Sequence, residues 1–150
     1  MLELKTASDQ PMFLRQFRLV FLLKAARELN LGNLICNDFT PVNTIARSEG
    51  LCHDKLKRLV SALASFGFFE VEDQWVRHNQ VSETLKSDSD TTLLSVIDFA
   101  TDPAVISAWV HLAEGFKKPD ISSFEQANKI SALDYFSDES SRLSVFQNAM

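Results

Sequence analysis

Leu56-Lys57-Arg58-Leu59-Val60-Ser61-Ala62-Leu63-Ala64-Ser65-Phe66-Gly67-Phe68-Phe69 decides how the rest of the chain is read. Leu56, Leu59, Val60 and Leu63 recur at intervals of three and four, which gathers them on one stripe of a helix. The spacing predicts a helix from Asp54 to Phe66, closed by Gly67, a residue suited to the left-handed backbone of a helix end. Two short stretches follow, Phe68–Glu72 and Trp75–His78, and with Asp73-Gln74 between them they predict a β-hairpin. Upstream, Thr40-Pro41 opens a short helix that ends near Gly50. Helix, turn, helix and a two-stranded wing, spread over residues 40–79, make the plan of a winged helix.

Working outward, Asp9 precedes Pro11 as a cap precedes a first-turn proline, which predicts a helix over residues 10–31 that stops at Gly32. Its centre, Leu19–Ala26, is apolar on nearly every side, with Lys24 the exception. A surface helix needs one apolar stripe, so this helix has a second face to bury against its own domain or another chain. Beyond the wing, Val81–Lys86 reads as a turn or two of helix, Ser87–Asp90 as a polar loop and Thr91–Ala100 as a helix. Asp102-Pro103 caps a further helix running to about Phe116. Lys117–Ser131 reads mostly as loop, broken by Pro119, and Ala132 to Met150 as a last helical stretch. The predicted class is mainly α: one domain over residues 1–150, with a winged helix-turn-helix core and short hairpin, flanked by N-terminal and C-terminal helices (10–31 and 91–150).

Composition bounds the function. The chain has 150 residues, 45% of them hydrophobic, enough for a real core. Twelve phenylalanines stand against one tyrosine, so the rings serve packing or an apolar pocket more than hydrogen bonding. The net charge of -5 is uneven: residues 1–40 carry five basic and four acidic side chains, residues 41–86 six of each, residues 87–150 four and ten. No segment offers the basic field that nucleic acid or an anionic membrane requires. Cys36 and Cys52 form no CxxC, which argues against a disulfide framework and for a reducing cytoplasm. The N-terminus lacks a signal-peptide layout, and the longest apolar run, Leu19–Leu23, is too short to span a bilayer.

Chemistry-bearing patterns are sparse. Glycine occurs only at 32, 50, 67 and 115, so neither GxGxxG nor a phosphate loop can be built. His53, His78 and His111 fall on separate elements with no metal-type spacing, and no serine sits in GxSxG. His111 lies one turn from Glu114, which reads as a surface contact before it reads as an acid–base pair. These residues supply no catalytic, cofactor-binding or metal-binding set. Lys55, Lys57 and Arg58 occupy the helix where a winged-helix regulator reads bases. Glu49, Asp54, Glu70, Glu72, Asp73 and Glu83 offset them, leaving residues 41–86 neutral.

The order of these pieces resembles the N-terminal dimerisation domain of S-adenosylmethionine-dependent small-molecule O-methyltransferases of the plant caffeate and bacterial types. The resemblance is carried by the run from Leu22 to Leu34, by Thr44-Ile45-Ala46, by Leu56 to Phe69 and the wing, by Trp109-Val110-His111-Leu112, by Asp134-Tyr135-Phe136, and by Phe146-Gln147-Asn148-Ala149-Met150. It implies an intertwined homodimer, and the nearly all-round apolar character of the first helix puts Leu14, Phe17 and Phe21 at the centre of that interface. It also implies a lid over a small aromatic or polyketide-like hydroxyl acceptor, with Ile106, Leu112, Ala132, Phe136, Phe146 and Met150 lining the pocket. S-adenosylmethionine and the histidine base would belong to a separate domain of the parent enzyme. Three features depart from the family pattern. Phe136 stands where plant members can carry histidine, and Arg142 where they can carry phenylalanine. Lys117-Lys118-Pro119-Asp120 replaces a glycine-containing turn. The apolar spacing of Leu143, Phe146 and Met150 is still running at the last residue, which reads as a longer polypeptide cut short. Two other readings stay open: a winged-helix DNA-binding regulator, and a free-standing dimeric interaction protein.

Overall fold

The computed structural model describes residues 16–118 and 120–150, which form two compact units, one up to Leu94 and one from Ser95. The Asp9-Pro11 helix start, Leu14 and Pro119 lie outside the described residues. The described secondary structure is mostly helical with a small antiparallel sheet.

In the first unit, α1 (Phe17–Glu28) ends earlier than its apolar pattern suggests. Leu29 N–H still bonds the Ala25 carbonyl, but Asn30 turns left-handed at φ 55° and starts a separate helix, α2 (Leu31–Leu34). Asparagine tolerates that conformation, so it marks the true break. Gly32 is no cap; it lies inside α2, where a Cβ would overlap the Leu85 carbonyl. Gly32→Ala should therefore cost about 1–3 kcal/mol, as overpacking against unyielding backbone does. Urea unfolding within about 0.5 kcal/mol of wild type would show that the backbone yields.

Strand β1 (Thr40–Pro41) precedes α3 (Val42–Ser48), so Thr40-Pro41 is a strand and the helix starts after it. Helix α4 (His53–Ser65) buries Leu56, Val60 and Leu63. Leu59, expected on the same stripe, is only half-buried and faces an outer groove. Strands β2 (Glu70–Glu72) and β3 (Trp75–Arg77) form the wing in the register Val71 to Val76, and β1 adds a third strand with Thr40 opposite Val76. The sheet order β1-β3-β2 puts Val76, fully buried, at its centre.

A 3-10 helix, Ser82–Leu85, is tied to α2 by His78, which is 5% exposed. Its Nε2 lies 3.0 Å from the Gly32 carbonyl and its Nδ1 2.9 Å from Ser82 Oγ. A carbonyl only accepts, so Nε2–H donates to it and Nδ1 accepts from the Ser82 hydroxyl. Burial holds the imidazole below its usual range, and Lys86 adds to this against the opposing pulls of the Gly32 carbonyl and Glu83. The unfolded chain therefore takes up this proton first as pH falls. The His78 contribution should be full above pH 6.5, the ordinary histidine value, and decline as pH drops from there toward the folded value. Urea midpoints of wild type should fall across this window while those of His78→Gln stay flatter; parallel curves would assign the acid sensitivity elsewhere.

In the second unit, α5 (Leu94–Ala100), whose first residue closes the first unit, leads to α6 (Pro103–Val110). Asp102 caps α6 as expected, accepting from the Ala104 and Val105 N–H groups at 2.8 and 3.4 Å. The helix breaks at His111, whose Nδ1 lies 2.9 Å from the Ser107 carbonyl, and α7 (Leu112–Gly115) follows. The stretch expected as loop contains α8 (Ser123–Asn128). Ser122 Oγ caps it by accepting from Glu125 N–H at 3.1 Å, the Ser-x-x-Glu signature of a helix start. The final stretch is two helices, α9 (Ala132–Ser137) and α10 (Ser140–Ala149). Asn128 fastens α8 to α6 by donating to the Ala104 carbonyl at 3.0 Å. Among the described residues no helix is long and apolar enough to cross a membrane.

Candidate functional site

Aromatic side chains converge in the second unit. Phe136 on α9 is 4% exposed and packs on Phe146 of α10, with ring centroids 5.1 Å apart and planes 19° apart. Phe99 of α5 meets both, at 5.4 Å and 5.8 Å. Phe124 of α8 and Tyr135 complete the cluster, Tyr135 edge-on to Phe136 at 5.1 Å. The rings are spread through residues 99–146, and the short helices α8 and α9, each started by a serine cap, bring them together.

Polar groups border the rings. The Tyr135 hydroxyl donates to the Asp102 carboxylate at 3.3 Å, joining α9 to the cap of α6. Burial pushes the Tyr135 phenol above its usual range, and the Asp102 charge adds to the effect. The Arg142 guanidinium lies 4.5 Å from the centre of the Tyr135 ring, and its Nη2 meets Glu139 Oε1 at 3.1 Å. Beside the rings is a cavity of about 150 Å³, lined by Asp98, Phe99, Asp102, Phe136, Arg142 and Val145 among others. Such a space offers an apolar floor and hydrogen-bonding walls but no nucleophile–base pair, so it suits holding a flat molecule more than reacting with it.

Of the six acceptor positions proposed from sequence, this cluster brings Phe136 and Phe146 into contact. Ile106 is half-buried on α6, and Leu112, Ala132 and Met150 are exposed, none of the four in a ring pair. Phe99, Phe124, Tyr135 and Arg142 were not named as site residues. The Ser122-x-x-Glu125 and Ser131-x-x-Asp134 signals could have placed the helices of Phe124 and Tyr135, but not which faces meet.

In the first unit, Phe17 and Phe21 stand 68% and 40% exposed on α1, edge to face at 5.2 Å. Ala26 is the one residue of α1 that is buried, so most of the helix's apolar surface is uncovered or half-covered. Lys55, Lys57 and Arg58 border a groove of about 590 Å³ floored by Leu22, Leu59 and Ala62, and Lys57 lies 3.8 Å from Asp73. Cys36 and Cys52 are free and exposed. Among the described residues, no three His, Cys, Asp or Glu side chains gather as a metal site.

No family model matches the chain. In sequence it is 23% identical over 133 residues to 3-O-methylredipecamine 2-O-methyltransferase of Carapichea ipecacuanha, a match covering 85% of this chain and 37% of that relative. In structure it resembles the mitomycin 7-O-methyltransferase (TM-score 0.80, 22% identity, 95% of this chain and 42% of that one). The fold is that of an O-methyltransferase N-terminal region. Human N-acetylserotonin methyltransferase, solved in complex with SAM, shares it at TM-score 0.78 and 17% identity, over 99% of this chain and 46% of the human one. The chain thus spans less than half the length of these methyltransferases. The same matches give the regulator and free-standing readings no support.

Proposed function

We propose that residues 1–150 act as one module, the dimerisation and acceptor-covering part of an S-adenosylmethionine-dependent methyltransferase, with the methyl donor held by another region of the enzyme. The stacked Phe136–Phe146 pair beside an open cavity is the observation that carries this reading. Stacked rings bind flat aromatic molecules and exclude water from them, which is what a lid over a hydroxyl-bearing acceptor requires. Ile106, Leu112, Ala132 and Met150 would complete the pocket when the rest of the enzyme closes on it. The uncovered apolar face of α1 at Phe17 and Phe21 would meet its counterpart in a homodimer, with Leu14, upstream in the sequence, proposed to join that interface. The chain carries a net charge of -5 and no segment of it is strongly basic, so neither nucleic acid nor an anionic membrane fits it. Two free, exposed thiols suit a cytoplasmic location.

Nothing in the described elements resembles a donor site. The sheet has three short antiparallel strands, whereas a dinucleotide-type pocket uses parallel strands and a glycine-rich turn. Calorimetry with this chain should show saturable heat for 2-naphthol, removed by Phe146→Ala, and none for S-adenosylmethionine. Saturable heat with S-adenosylmethionine, or naphthol binding indifferent to Phe146, would overturn the reading.

A further inference from the structure

Covering an apolar acceptor gives the charge of Arg142 no task. It lies in the first turn of α10, on the wall of the 150 Å³ cavity with Phe99, Phe136 and Val145. Two contacts set the plane of its guanidinium: Glu139 at 3.1 Å on Nη2, and the face of Tyr135 at 4.5 Å. Tyr135 is itself fixed through its hydroxyl to Asp102, which caps α6. The guanidinium is therefore braced by Tyr135 of α9 and by Glu139, the residue that precedes its own helix. A guanidinium carries five N–H donors and no acceptor, and Glu139 engages one end of the fork.

The size and charge of the cavity narrow what it takes. A cavity of about 150 Å³ holds one benzene-sized ring. Asp98 and Asp102 line it together with Arg142, so the walls carry both signs. A ligand carboxylate would meet two like charges and compete with Glu139, and a ligand ammonium, though drawn to the two carboxylates, is repelled by the guanidinium and has no lone pair to accept from it. A neutral oxygen acceptor takes an N–H bond from Arg142 with no like charge to meet on either wall. Phenylalanine at this position could stack but could not donate.

We infer that this cavity admits one ring of the acceptor and that Arg142 selects acceptors bearing a neutral carbonyl oxygen, an aryl ketone or quinone in chemical class. The inference rests on the acceptor-covering reading and adds a specificity determinant to it.

Four single-ring probes test it on the full chain by NMR: acetophenone, ethylbenzene, benzoate and benzylamine. Acetophenone should saturate shifts of the Val145 methyls and the Phe136 ring, with a dissociation constant on the order of 1 mM for so small a ligand. Ethylbenzene should bind the same signals about tenfold more weakly, the usual worth of one hydrogen bond to a charged donor. Benzoate and benzylamine should be weaker than acetophenone. Arg142→Met should erase the ketone preference while keeping ethylbenzene binding. Arg142→Lys, which keeps the charge on a single point donor, should keep part of it and covers the case in which the methionine variant misfolds. Equal binding of ketone and hydrocarbon, tighter binding of either ion, or an unchanged preference in a folded Arg142 variant would overturn the selection by Arg142 and leave the acceptor-covering reading standing. Failure of every probe to shift Phe136 and Phe146 would overturn both.

Discussion

Phe136→Ala is expected to destabilise the second unit by about 3–5 kcal/mol, the range for removing a buried phenyl ring. Phe136 is 4% exposed and touches Phe99, Phe124, Tyr135 and Phe146, rings drawn from α5, α8, α9 and α10. Truncation removes the ring's burial and leaves a hole that four short helices can close only by shifting together. Phe136→Leu keeps most of the volume and should cost less than half as much. Leu133, one turn away on the same helix and 73% exposed, provides the control: Leu133→Ala should stay within about 0.5 kcal/mol of wild type. Urea unfolding read by far-UV dichroism measures all three. A loss below about 1 kcal/mol for Phe136→Ala would mean the ring fills space without organising the cluster.

The second large effect is expected at α1. Phe17 and Phe21 leave much of their surface in water within one chain. If a partner chain covers them, each ring contributes about 1.5–3 kcal/mol of burial, so losing both from each protomer, four rings in all, should weaken self-association by roughly 10⁴-fold or more. Phe17→Asp with Phe21→Asp should shift the sedimenting species from dimer to monomer. Because both positions are solvent-facing in the single chain, the helical dichroism should not change. A well-folded wild-type chain that sediments as a monomer at high micromolar concentration would remove the case for dimerisation through this helix.

The two expectations differ in how far the amino-acid order alone could reach them. Helix α4 and the wing were legible because their signals are local: Leu56, Val60 and Leu63 repeat at helical spacing, and Gly67 turns the chain at φ 88°. The Asp102-Pro103 helix start was legible for the same reason, since a capping carboxylate acts on N–H groups two and three residues away. The uncovered face of α1 followed from apolar residues on every side of a helix, a pattern that one small domain rarely satisfies by itself.

Other features belong to the tertiary structure. The helix expected to reach Leu31 ends at Glu28, Asn30 turns left-handed, and Gly32 then lies against the Leu85 carbonyl, 53 positions along the chain. His78 read as an isolated histidine until folding put the Gly32 carbonyl and the Ser82 hydroxyl on its two nitrogens. Thr40-Pro41 became a strand by pairing with β3, a partner that local propensity does not reveal. The aromatic cluster is the clearest case: Phe99, Phe124, Phe136 and Phe146 sit on four helices, and no periodicity links them. Apolar spacing and capping chemistry act within a turn or two of the chain, so the sequence by itself determined the helices, the wing and the apolar surfaces to be covered. Contact between distant faces depends on how those surfaces fit once buried, and only the tertiary structure decided which rings meet, which histidine is locked and where Arg142 faces a cavity.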